Sequence, residues 1–140
     1  MNDKIKIGFD IGGVLSKYPD ILRPIIAALS VSPDIEIHVL SDMHPIDKCI
    51  DWIRRNELSI INENIHSCDY AIYGEECKAM KAKEIGLHVL IDDFMGYISI
   101  ANSPILRLFT MPDHTRDYYH ESWKTDGSEG NFGRIKNKKN

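Results

Sequence analysis

The stretch Lys6-Ile7-Gly8-Phe9-Asp10-Ile11-Gly12-Gly13-Val14-Leu15 limits what this chain can become more than any other. An apolar strand ends on a carboxylate, and two glycines follow almost at once. A strand written this way delivers one charged side chain to its C-terminal edge. Glycine, with nothing projecting from its Cα, lets backbone N–H groups come close to an anion.

The same syntax returns twice. Glu36-Ile37-His38-Val39-Leu40 reads as a buried strand ending at Ser41-Asp42, and Leu87 to Ile91, apolar except for His88, delivers Asp92-Asp93. Helical patterns lie between. Residues 21–29 follow Pro19, with Asp20 as the expected N-cap and Pro24 tolerated near the first turn. From Pro45 to Asn56, the residues Ile46, Cys49, Ile50 and Ile53 share one face. Glu75 or Glu76 to Ile85 is rich in Ala, Lys, Met and Glu, and Gly86 stops it. Residues 62–69 read as irregular, residues 71–73 as a short strand, residues 97–102 as a helix or turn, and residues 105–109 as a last strand. Buried strands alternating with helices predict an α/β fold: a Rossmann-like three-layer α/β/α sandwich around a central parallel sheet. Such sheets bind ligands at the carboxyl ends of their strands, which is where Asp10, Ser41 and Asp92 fall.

These strand ends, taken in order, resemble the motifs of the haloacid-dehalogenase-like (HAD) superfamily over about Ile5 to Phe109. Asp10 matches the nucleophile of the first motif, and Gly13-Val14-Leu15 match its closing residues. Ser41 is similar to the second motif, whose hydroxyl, with the N–H of Asp42, binds a phosphoryl oxygen. A lysine upstream of the last motif is the third; Lys78, Lys81 and Lys83 compete. Lys78 is preferred because it opens its helix on the side facing the strand ends. Asp92-Asp93 look like the double-acid fourth motif. The resemblance implies catalysis by Asp10 and Lys78 and phosphate contacts from Ser41, Asp42, Gly12 and Gly13. It also implies Mg²⁺ held by Asp10, the Gly12 carbonyl, Asp92 and Asp93, with an aspartyl-phosphate forming on Asp10.

Each residue also has a plainer reading. An Asp at a strand end is most often a turn residue or a cap, Ser41-Asp42 could be an N-cap pair, and helix lysines usually face solvent. What the plain readings leave unexplained is two carboxylate-bearing strand ends converging in one parallel sheet, since like charges that close repel without a cation between them.

One position departs from the family pattern. Its second Asp, which protonates the leaving group and then activates water, is Gly12 here. General acid–base catalysis contributes roughly 10²–10⁴-fold, so the loss weakens a hydrolase without abolishing it. Asp20 or Asp42 could substitute. The intervals after Leu15 and after Asp42 leave room for no cap domain. An uncapped site favours an extended phosphorylated substrate, such as a phosphoprotein or a nucleic-acid end, or a lid from another subunit. The competing class is a catalytically impaired module that binds a phosphorylated partner.

With 140 residues, 43% hydrophobic and 27% charged, the chain makes one core domain over residues 1–124 and a flexible basic tail over residues 125–140. A net charge of −4 gives no general attraction for nucleic acid but leaves room for a local basic groove. No apolar run approaches the ~20 residues of a membrane span. The N-terminus does not read as a signal peptide. Three cysteines without CxxC spacing argue against a zinc site and for thiols in a reducing cytoplasm. His44, next to Ser41-Asp42, is a substrate contact or an idle helix-entry residue. Residues 114–123, polar and aromatic, read as a lid or a packed C-terminal helix.

Overall fold

The computed structural model describes residues 3–93 and 106–109. Five strands form one sheet: β1 (Ile5–Phe9), β2 (Ile35–Ser41), β3 (Ile65–Ser67), β4 (Val89–Asp92) and β5 (Leu106–Phe109). Their order is β3-β2-β1-β4-β5, and every neighbouring pair is parallel. Parallel strands need crossovers; α1 (Pro19–Ser30) links β1 to β2, α2 (Ile46–Arg55) links β2 to β3, and α4 (Cys77–Ile85), after a single turn α3 (Tyr70–Tyr73), links β3 to β4. The architecture is therefore α/β with an all-parallel sheet.

Side-chain alternation along β2 explains how both faces are covered. Ile37 and Val39 point into a core with Phe9, Ile26, Cys49 and Ile53, which gathers α1 and α2. Leu40, one residue on, points the opposite way into a second cluster with Ala82, Leu87 and Leu90 beneath α4. The α2 face expected from the sequence forms as read: Cys49 and Ile53 are buried, and Ile46 and Ile50 pack beside them. Gly86 ends α4 at φ 82°, a left-handed conformation that costs glycine nothing, and its N–H returns to the Ala82 and Lys83 carbonyls.

The order of strands reverses beside β1. From β1 the chain steps to β2 and β3 on one side, then returns to β4 and β5 on the other. The crevice at the carboxyl ends of β1 and β4 is thus the switch point where an open parallel sheet receives its ligands.

Several local expectations are corrected. Residues 71–73 are not a strand: the Asp69 carboxylate accepts a hydrogen bond from Ile72 N–H, and the chain turns helically over α3. The third strand forms instead at Ile65–Ser67, inside the segment read as irregular, because it can pair with Val39–Ser41. Asp20 is not the cap of α1. Pro19 already stands in the first turn, its fixed φ suiting the helix start, and Tyr18 precedes it. His88, which its apolar run would place in a strand as a core or sheet-face residue, lies exposed just before β4; its Nδ1 accepts the Lys6 N–H at 3.0 Å. Among the described residues, no helix is long and apolar enough to cross a membrane. The helix or turn expected at 97–102, the polar aromatic segment and the basic tail lie outside the described residues.

Candidate functional site

Sheet register puts the first carboxylates side by side. Phe9 pairs with Ile91, so the next residues, Asp10 and Asp92, leave adjacent strands together, and Asp10 N–H donates to the Ile91 carbonyl at 3.0 Å. Asp93 follows, its N–H donating to Asp92 Oδ1 at 2.8 Å. Oxygens of Asp10, Asp92 and Asp93 all lie within 4.8 Å of one another, and all three residues are buried.

The loop after β1 makes this convergence sterically feasible. Residues 11–15 form one wide turn, closed by Leu15 N–H to Asp10 O at 3.2 Å and Ser16 N–H to Ile11 O at 2.9 Å. Gly13 sits at φ 76°, and a Cβ there would stand 1.8 Å from Asp93 Oδ2. Any side chain at position 13 would therefore both strain the backbone and occupy the place of a carboxylate oxygen. Ile11 N–H donates to Asp10 Oδ1 at 2.8 Å, and Gly13 N–H donates to Ser16 Oγ at 3.2 Å. Two of the turn amides thus fix the turn and its carboxylate.

Lys78 enters from the first turn of α4. It is fully buried, with Nζ 2.7 Å from Asp10 Oδ1 and 2.5 Å from Asp92 Oδ2. The other two lysines considered for this place lie elsewhere: Lys81 pairs with Glu84 at 3.4 Å and Lys83 is exposed. Helix position decides between them, because only the first turn of α4 overhangs the carboxyl edge of β1 and β4.

The electrostatics are unbalanced. Among the described residues, three buried carboxylates face one buried ammonium. Burial above all, reinforced by Asp92, holds Asp10 well above the usual carboxylate range, although Lys78 pulls it down. Burial, then Asp92, pushes Asp93 up to about 8, again against Lys78. For Lys78, burial works against the charge, but Asp10, Asp92 and Asp42 more than offset it and hold the ammonium well above its ordinary range. The donor set is all oxygen, and like-charged carboxylates this close raise one another's pKa, so a hard divalent cation fits among them.

The remaining sequence candidates fall at different depths. Ser41 is buried at the end of β2, one register step past Asp10, and its Oγ accepts Met43 N–H at 2.9 Å. Asp42, half-buried, acts electrostatically on both Asp10 and Lys78. Gly12 is buried within the turn at φ −68° and ψ 127°. Asp20 stands outside the cluster: its side chain is 97% exposed and lies 3.7 Å from Arg23. His44 is exposed at the entry to α2, 3.9 Å from Asp69.

Two polar groupings were not anticipated from the sequence. His38 Nε2 donates to Glu36 Oε1 at 2.8 Å, and its Nδ1 meets His66 Nε2 at 3.0 Å, with the two rings stacked. The spacing Glu36-x-His38 places both on one strand face and was a readable signal; the partner on β3 was not. The second grouping is Cys68 and Cys77, whose sulfurs lie 2.7 Å apart, and no spacing rule joins them. Compared with protein-family models, with curated proteins and with solved structures, the chain matches none.

Proposed function

We propose that this protein is a Mg²⁺-dependent phosphomonoester hydrolase acting through an aspartyl-phosphate on Asp10, a HAD-like enzyme on an uncapped Rossmann-like three-layer core. One observation carries the reading: three buried carboxylates converge at the switch point of a parallel sheet, with a buried lysine shared between two of them. A turn, a cap or a solvated helix face would explain any one of these residues; none explains burial of all four together.

Asp10, Asp92, Asp93 and the Gly12 carbonyl would hold the cation, which when bound neutralises charge on the transferring phosphoryl group. The protein's own groups account for the rest. Asp10 Oδ1 is committed to Ile11 N–H and Lys78, so attack on phosphorus falls to Oδ2. The new P–O bond forms as the ester P–O bond breaks, and the leaving oxygen takes its proton from water, since residue 12 carries no acid. Water then attacks phosphorus of the phospho-Asp10, releasing inorganic phosphate and restoring the carboxylate. Lys78, paired with Asp10 and Asp92, opposes the burial that disfavours an ionised Asp10 and orders the clustered charge throughout. Good leaving groups suit this chemistry best. An uncapped site favours an extended phosphorylated substrate, such as a phosphoprotein or a nucleic-acid end.

The test is hydrolysis of an activated aryl phosphate with and without Mg²⁺, with Asp10→Asn as the control. Turnover requiring both Mg²⁺ and Asp10 is expected; unchanged turnover in Asp10→Asn would sink the nucleophile assignment. Gly12 and the raised pKa of Asp10 favour a second reading, a module that binds phosphate without cleaving it. Binding of phosphate with no turnover at any Mg²⁺ concentration would decide for that module.

A further inference from the structure

The two thiols that flank residues 69–76 have no part in the hydrolase chemistry. Cys68 follows the end of β3, anchored by its N–H to the Ser41 carbonyl at 2.9 Å, and Cys77 is the first residue of α4, directly before Lys78. Both are buried and neither is in a disulfide, yet their sulfurs are 2.7 Å apart. A disulfide bond is about 2.05 Å long, so a displacement of well under an ångström separates the pair from bonding distance. We propose that Cys68 and Cys77 form a reversible disulfide, a modification site that fastens the end of β3 to the start of the helix carrying Lys78.

The segment between them supplies the access that two buried thiols lack. α3 and the 3₁₀ turn Gly74–Glu76 contribute no buried residue, and Ile72 and Tyr73 are exposed, so this stretch opens at little cost while the sheet stays intact. Hydrogen bonding to Cys77, then burial, holds the Cys68 thiol above its ordinary range, so the closed pair is two thiols and reaction belongs to the opened segment. The oxidant is a disulfide such as oxidised glutathione. One thiolate attacks it, forming a mixed disulfide and expelling one glutathione thiolate. The second cysteine then attacks the mixed disulfide and expels the other. Two protein thiols are oxidised and one disulfide is reduced to two thiols. Cys49, buried and donating to the Met43 carbonyl at 3.1 Å, has no sulfur partner and serves as an internal control.

The experiment incubates the full chain with oxidised glutathione, then alkylates, digests and maps it by mass. The expected result is a Cys68–Cys77 linked peptide two hydrogens lighter, with Cys49 still alkylated and the link reversed by dithiothreitol. The oxidised chain should also melt about 5–10 °C higher, because a short closed loop constrains the unfolded state. Full alkylation of all three cysteines, or glutathione retained on either cysteine without the link, overturns the disulfide. An equal or lower Tm in the linked chain overturns the fastening. Cys68→Ser should lose both the link and the Tm difference, and a persisting difference would assign it elsewhere. Because the wild-type map decides the bond, the result stands whether or not the protein hydrolyses phosphate.

Discussion

The Glu36–His38–His66 chain and the Asp10–Lys78–Asp92–Asp93 cluster are both polar groups set into one parallel sheet, and they handle burial in opposite ways. In the first, every neutral ring finds a partner: Glu36 accepts from His38, and His38 meets His66. Burial lowers the pKa of both imidazoles, His66 to about 4, so the chain needs no charge from outside. In the second, among the described residues, one buried ammonium serves three buried carboxylates, and burial and mutual repulsion raise Asp10 and Asp93. A self-satisfied polar network is a structural device. A cluster of like-charged carboxylates with perturbed pKa values, at the ligand end of a sheet, is a candidate for a site.

That contrast can be broken from either side. The largest effect on stability is expected from Lys78→Met. Removing one member of a buried charge cluster leaves its partners uncompensated, at about 3–5 kcal/mol, read by urea unfolding. Adding Asp92→Asn to Lys78→Met should recover part of that loss. A Lys78→Met protein as stable as the wild type would show that the cluster carries little charge without metal. Gly13→Ala comes next, at about 2 kcal/mol or more, since left-handed backbone costs alanine 1–2 and its Cβ collides with Asp93. Wild-type stability in that variant would mean that Asp93 can swing aside.

The histidine chain gives the smallest effect and a defined sign. The unfolded rings titrate near 6.5, while in the fold His66 titrates at about 4 and His38 is lowered. The unfolded chain therefore binds protons first as the pH falls. The stability of the neutral chain is complete above about 6.5 and drains away toward about 4. Glu36, lowered chiefly by its hydrogen bond to His38, adds a loss in the same direction below its ordinary value of 4.5. The histidine chain's own share is a drop on the order of 1–2 kcal/mol between pH 7 and 5, set against the raised Asp10 and Asp93, which favour the fold as the pH falls. That share is read as the difference in pH slope between His66→Asn and the wild type; identical slopes would remove it from the histidine chain.

Much of the fold was legible because its signals are local. The apolar runs of β1, β2 and β4, the apolar face of α2 and the Gly86 stop each follow from a few neighbouring residues. The errors came where local preference competed with a partner elsewhere. Residues 71–73 carry apolar side chains that suit a strand, but Asp69 turns them into a helix, and Ile65–Ser67 became a strand only because β2 offered an edge.

The sequence by itself determined which residues end the strands: Asp10, Ser41 and Asp92 are where they are because apolar runs stop there. Tertiary structure alone decided that Asp10 and Asp92 leave adjacent strands and that Gly13 yields its space to Asp93. It also brought Cys68 to Cys77 and His38 to His66. The physical reason is common to all of these. Periodicity and caps act over three or four residues, whereas charge balance, steric exclusion and sulfur contact depend on distances that exist only once the crossovers have fixed the strand order.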